Sequence, residues 1–163
     1  MRAGALLVAL AALACLMLSA RSQRPLLVWN ASASLPVGLY RIELAPVQRG
    51  DVVLVRLSPA TAQLAGQRRY LVGSPYLIKV AAGIGGDRVC RFADRVFVRG
   101  VLAARALARD KPGRPLPVWG GCRRLAAGEL FVLAPEAHSF DSRYFGVVAA
   151  NQVVGRAVPL WLP

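Results

Sequence analysis

The sequence predicts a mainly-β, single-domain body carried on one N-terminal apolar helix. Three observations predict it. Residues 3–20 carry no charge, short runs of branched and aromatic residues punctuated by glycine and proline follow, and little sustained helical periodicity appears in the remainder. At 163 residues the chain fits one domain, with length enough to bury a core once the terminal segment is set aside. The expected division is residues 1–24 as a membrane anchor or signal segment and residues 25–163 as the exported domain.

The elements follow in order. AGALLVALAALACLMLSA, as a helix at about 1.5 Å per residue, spans roughly 27 Å, just short of a hydrocarbon core. A retained anchor and a removed signal peptide both fit. Ala12-Leu13-Ala14 offers an A-x-A cleavage pattern, but a cut there leaves Cys15 at the new terminus. That cysteine also suits a lipoprotein, against which stands Ala12, where leucine is usual. Arg2 faces Arg21 and Arg24 across the segment, so charge sets the orientation poorly. Beyond the polar hinge RSQRP, Pro36 and Gly38 are expected to break any regular element in LLVWNASASLPVGLY. RGDVVLVRL reads as a turn and a strand, TAQLAGQRR as a short helix, and YLIKVAAGI as a strand ended by Gly85 and Gly86. RVCRFADRVFVRGVLA reads as two short strands around an Ala-Asp turn, and RDKPGRPLPVWGG as a Pro/Gly-rich excursion. GELFVLAPEAHSFDSRYFGVV is expected to hold a strand, a loop and an aromatic-rich strand start, and NQVVGRAVPLW closes the chain.

The net charge of +13 and pI near 11.3 suit an anionic partner. Yet the arginines are scattered, with pairs at 68–69 and 123–124 and no longer basic run, and no zinc-knuckle, RNP-like or helix-turn-helix pattern accompanies them. Attraction to anionic lipid headgroups is therefore expected, and nucleic acid is not. Outside the apolar segment stand two cysteines, Cys90 and Cys122, an even number behind an export-type N-terminus and a candidate disulfide. One histidine and two separated cysteines make no metal ligand set.

Three islands can carry chemistry. Of the 21 basic residues only Lys79 and Lys111 are lysines, and Lys79 alone sits in an apolar run, YLIKVAAGIGGD. Arginine keeps its proton in a protein, whereas a desolvated lysine can lose it and act as a general base. The bland alternative is a strand-edge lysine reaching out to water. In NASASLPVGLY, Pro36 and Gly38 bend the backbone around Ser34, which can be a nucleophile or merely a loop serine. Ser32, two residues earlier, shares its face in an extended segment and can donate to an oxyanion beside the Ser34 N–H. In HSFDSRYFG, Asp141 and Arg143 are two apart, placed to pair on an extended strand or to form an ordinary surface ion pair. A Ser-His-Asp triad through His138 is the weaker reading, since a lone loop histidine is commonly solvated.

Together the islands resemble a known family. The order SxSxP, RGDVV, K-x-x-x-G-x-x-G-D and S-x-D-S-R-Y-x-G resembles the boxes of type I signal peptidases. NASASLPVGLY, GRPLPVW and SFDSRYFG resemble the TraF-type conjugal-transfer peptidases of that superfamily. The likeness runs from about Asn30 to Gly155. It implies Ser34 as nucleophile, Lys79 as general base, Ser32 as an oxyanion donor, Ser139 as the serine that orients the lysine, and Asp141 with Arg143 as a supporting ion pair. Gly83, Gly86 and Asp87 are implied as turn and scaffold residues. The implied protein is a signal-peptidase-like β body on a single transmembrane helix, in the cytoplasmic membrane with its domain in the periplasm, needing no metal or cofactor. Its implied partners are a pilin or other preprotein substrate and other conjugation or secretion proteins. The single residue between Ser34 and Pro36, and APEAHSF in place of GDNRDNS, depart from the housekeeping pattern and fit the TraF branch, some of whose members close the trimmed pilin into a ring. A general signal peptidase and a non-catalytic envelope component are the alternative readings.

Overall fold

The computed structural model describes residues 24–71 and 74–163. The segment expected as anchor or signal peptide, with Cys15 and the A-x-A pattern, lies outside the described residues. Among those described, no helix is long and apolar enough to cross a membrane.

Pro36 and Gly38 do not abolish regular structure in their neighbourhood. They confine the break to residues 31–37, with β1 (Leu27–Asn30) before it and β2 (Gly38–Glu43) after it. The branched run VVLVR forms β3 (Val52–Arg56), and a short helix α1 (Pro59–Gln67) follows. Ser58 caps α1, its hydroxyl accepting from Thr61 N at 3.3 Å, and a proline opens the first turn, where its missing N–H is harmless. Then come β4 (Tyr76–Gly83), β5 (Arg88–Phe92), β6 (Arg95–Val98) and β7 (Val101–Arg105). Beyond the Pro/Gly-rich excursion lie β8 (Gly121–Arg124), β9 (Phe131–Leu133), a one-turn helix α2 (Ser142–Phe145) and β10 (Val153–Trp161).

Two further stretches differ from expectation. Residues 88–105 make three strands rather than two. SFDSRYFG does not start a strand, because the Asp141 carboxylate accepts the Arg143 N–H at 3.0 Å and caps a helical turn. Gly146, at φ +76°, ends that turn.

The strands pair antiparallel in two sheets, β1-β2-β10-β3-β4-β9 and β7-β6-β5-β8. Period-two alternation sorts the large sheet's side chains into two clusters. One gathers Val53, Val55, Leu77 and Ala81 beneath α1, Phe140 and Tyr144; the other gathers Tyr40, Ile42, Leu54 and Ile78 on the opposite face. A third, with Val89, Val96 and Phe131, lies where the small sheet meets β9. Register shifts in β4 and β10 bend the large sheet. At the Gly155 bend β2 passes so close that a Cβ would stand 2.5 Å from the Glu43 carbonyl oxygen. After β4, Gly86 turns at φ +91°, and Asp87 accepts from Ile84 N at 2.9 Å and from Arg49 at 2.8 Å, tying this turn to the one before β3.

Cys90 on β5 stands opposite Cys122 on β8, and the two are disulfide-bonded across a separation of 32 residues. On the chain-entropy account, replacing both by serine is expected to lower stability by roughly 3–4 kcal/mol. Equilibrium unfolding in denaturant checks this, and an unchanged midpoint contradicts it.

Candidate active site

Alternation along β4 points Leu77, Lys79 and Ala81 to one face, and Lys79 stands opposite Val53 of β3. A lysine is thereby carried into an apolar surface and is only 3% exposed. Burial pulls its pKa from the usual lysine value down to about 8, while Asp141 pushes it up and Arg143 pushes it down. It does not reach out to water. Its Nζ donates to Ser34 Oγ at 2.7 Å.

Ser34 is presented by the 31–37 loop, which Asn30 organises from the end of β1. The buried Asn30 amide donates to the carbonyls of Ser32, Leu35 and Pro36 at 3.0, 3.1 and 2.9 Å, and its Oδ1 accepts from Ser32 N at 3.2 Å. Tyr40 OH adds a bond to the Pro36 carbonyl at 2.7 Å, and buried Leu35 anchors the loop in the second cluster. Ser32 Oγ lies 2.7 Å from Ser34 Oγ, so the Ser34 hydroxyl sits between a second hydroxyl and an amine. When that amine is neutral, the contact lets the hydroxyl donate to it, the geometry proton abstraction requires.

Asp141 and Arg143 lie behind this pair as a fully buried ion pair at 2.8 Å. Arg143 also donates to the carbonyls of Ala134, Glu136 and Ala137, fixing the loop from β9 to Ser139. Ser139 is buried in the wall of the same cleft, but the expected bond to the lysine is not formed. Its Oγ has no partner among the described residues, while its N–H is turned to the Glu136 carbonyl. His138 is exposed, its ring 3.2 Å from Glu136, and Asp141 is occupied by Arg143, so no triad assembles. Cys90 and Cys122 lie on the small sheet, outside the cleft lining.

The cleft holds about 510 Å³. Its apolar lining includes Leu71, Leu77, Leu107, Leu116 and Phe140. The excursion forms one side, stitched to the end of α1 by Tyr70 OH to Asp110 at 2.6 Å and Arg68 to the Pro115 carbonyl at 2.7 Å. Asn30 and Tyr40 were not singled out as functional by sequence reasoning; an asparagine opening a Pro/Gly loop is the signal that points to the first. Among the described residues no group of three or more His, Cys, Asp or Glu side chains can hold a metal ion.

Comparison with known proteins gives the chain's relatives. The family model "Signal peptidase, peptidase S26" matches residues 1–162. A conjugal transfer protein TraF of Agrobacterium fabrum is 37% identical over 145 residues, 81% of this chain and 80% of that one. A plasmid transfer protein TraF of Escherichia coli is 34% identical over 146 residues, 81% of this chain and 82% of that one. A crystal structure of a signal peptidase I from Enterococcus faecalis is similar with a TM-score of 0.41 at 20% identity, over 70% of this chain and 98% of that one.

Two outcomes follow for stability. With a folded pKa near 8 against an unfolded value near 10.5, Lys79 destabilises the protein fully below pH 8, and the penalty fades as pH rises to about 10.5. Lys79→Met is therefore expected to stabilise by on the order of 2–3 kcal/mol at pH 7, with the gain shrinking above pH 8. Denaturant unfolding across that range checks the sign. Asn30→Ala, which unties three carbonyls, is expected to cost about 1–3 kcal/mol in the same measurement.

Proposed function

Because the chain belongs to the signal peptidase family, peptidase S26, with TraF conjugal-transfer proteins among its relatives, we propose that it is a serine endopeptidase with a Ser34/Lys79 dyad that trims a pilin-like precursor for a conjugation or type IV secretion system. The observation that carries the reading is the 2.7 Å contact between Ser34 Oγ and a lysine amine buried in apolar surroundings.

Neutral Lys79 takes the Ser34 proton as Oγ attacks the scissile carbonyl. The Ser34 N–H receives the oxyanion, and Ser32, turning its hydroxyl from Ser34 Oγ, adds a second donor. Collapse breaks the C–N bond, the Lys79 ammonium returns the proton to the leaving amine, and an ester remains on Ser34. A water or a peptide amine then attacks that ester, giving up a proton to Lys79; the ester C–O bond breaks, and Lys79 returns that proton to the departing Ser34 Oγ. Water yields a linear product, and the substrate's own amine yields a ring.

An extended substrate segment docks in the cleft, with small residues before the cut. β1 and β9 are the edges of the large sheet, and the loops that follow them carry Ser34 and Ser139. The enzyme resides in the cytoplasmic membrane through its N-terminal segment, with the domain in the periplasm. The bonded pair Cys90–Cys122 suits that oxidising compartment.

The test co-expresses the pilin precursor encoded beside this gene with wild type, Ser34→Ala or Lys79→Arg, and follows trimming by mass. Both variants are expected to drop to about a thousandth of the wild-type rate or less while staying folded. A product lighter than the linear peptide by one water identifies cyclisation. Trimming by Lys79→Arg at the wild-type rate overturns the dyad, because arginine keeps its proton.

A further inference from the structure

Arg91, on β5, is a buried cation without a carboxylate. It is 4% exposed, and among the described residues it makes no salt bridge. The nearby Asp94 is paired with Arg105 at 2.6 Å. Arg91 donates instead to carbonyl oxygens, those of Ala93 at 3.0 Å, Pro117 at 3.4 Å and Arg143 at 2.7 Å. A guanidinium taken out of water without a counter-ion is costly, and all it obtains in return here is the position of three carbonyls.

The Arg143 carbonyl has a second donor. Trp119 Nε1 lies 3.1 Å from it and 3.0 Å from the Ser142 carbonyl, with the ring edge-on to Phe131. Both donors reach α2 from the side of the small sheet. The disulfide fixes their spacing, since Arg91 pairs with Gly121 in the register step next to Cys90 with Cys122. From the other side, β9 offers Val132 N to Ser142 Oγ at 2.9 Å, and Ala134, just past its end, offers its N–H to Asp141 at 3.0 Å. The one-turn helix is thus clasped between the two sheets. It holds the stretch from Ser139 to Tyr144 that walls the cleft beside Lys79.

We propose that Arg91 and Trp119 are positioning residues, a clamp on the Ser142 and Arg143 carbonyls that holds the 139–145 wall over Lys79 and keeps water from its amine. The inference rests on the dyad reading only for its consequence in catalysis.

The groups facing Lys79 fix the direction of the effect. The 31–37 loop offers only the hydroxyls of Ser32 and Ser34, and β3 offers Val53. Asp141 and Arg143 act on the amine with opposite signs and ride on the wall together. At the cleft mouth, Asp110 with Arg114 and Glu136 with His138 are already paired, leaving Arg68 and Lys111 as the further cations. Exclusion of water is the largest influence on Lys79, so a loosened wall raises its pKa.

The test uses the small number of lysines. In the purified full chain labelled with 13C at lysine Cε, Lys79 and exposed Lys111 give the two lysine signals, and each is titrated directly. Arg91→Met is expected to raise the Lys79 pKa by roughly one unit and to slow precursor trimming about tenfold at pH 7. Trp119→Phe, which keeps an aromatic ring and loses the N–H, is expected to move it the same way, and Arg91→Lys to lie between Arg91→Met and wild type. Should Arg91→Met not fold, Trp119→Phe carries the test. A Lys79 pKa within about 0.2 units of wild type in every folded variant overturns the proposal. The titration is read in the spectrum, so the clamp and the dyad fail separately.

Discussion

Dehydration of one amine is the constraint on which the rest of this structure depends. Lys79 lies in the face that Val53, Leu77 and Ala81 give to the core, and burial is what pulls its pKa to about 8. An amine in water would be protonated at neutral pH and useless as a base. A fully dehydrated amine with no neighbours would be too weakly basic to hold the proton that the proposed dyad asks it to carry. The buried pair Asp141/Arg143 sits between these limits, its two charges acting on Lys79 with opposite signs. The same burial destabilises the fold at neutral pH, a cost that packing elsewhere offsets.

The fold brings distant segments to that amine. β1 and β9 are opposite edges of one bent sheet, yet the loops that leave them line the same cleft. Each loop is held by side chains bonding backbone carbonyls, Asn30 in the first and Arg143 in the second. Side chains of the loops' own residues are thereby left facing the cleft, Ser34 toward Lys79 and Ser139 in the wall. Polar groups buried in this way are satisfied in one arrangement of the chain and in few others, which gives a loop the precision of a strand.

Much of this was legible in the sequence. Lys79 among leucine, isoleucine, valine and alanine suggested a buried amine without excluding a strand-edge lysine, and the runs VVLVR and YLIKVAAG announce the strands that hold it. The strands missed include β1 and β2, in the stretch expected to be broken by Pro36 and Gly38, and also β7 and β8. Every residue of GCRR is exposed and VLAAR is nearly so, so neither carries the alternation that marks a half-buried strand. The spacing of Asp141 and Arg143 correctly suggested a pair. It could not reveal the capped turn, because the same carboxylate serves a side chain and a backbone N–H. Arg91 was invisible for a different reason: its main acceptor is a carbonyl 52 residues away, and backbone oxygens leave no mark in a sequence.

The central claim is that the Ser34 hydroxyl loses its proton to a neutral Lys79. Its most direct test is the rate at which Ser34 is acylated by an activated peptide ester, followed from pH 5 to 10 in single turnover. This account requires a rate that rises about tenfold per pH unit and levels off near the Lys79 pKa of about 8. A midpoint near 6.5, the ordinary histidine value, would point to His138 and contradict it, as would a rate indifferent to pH.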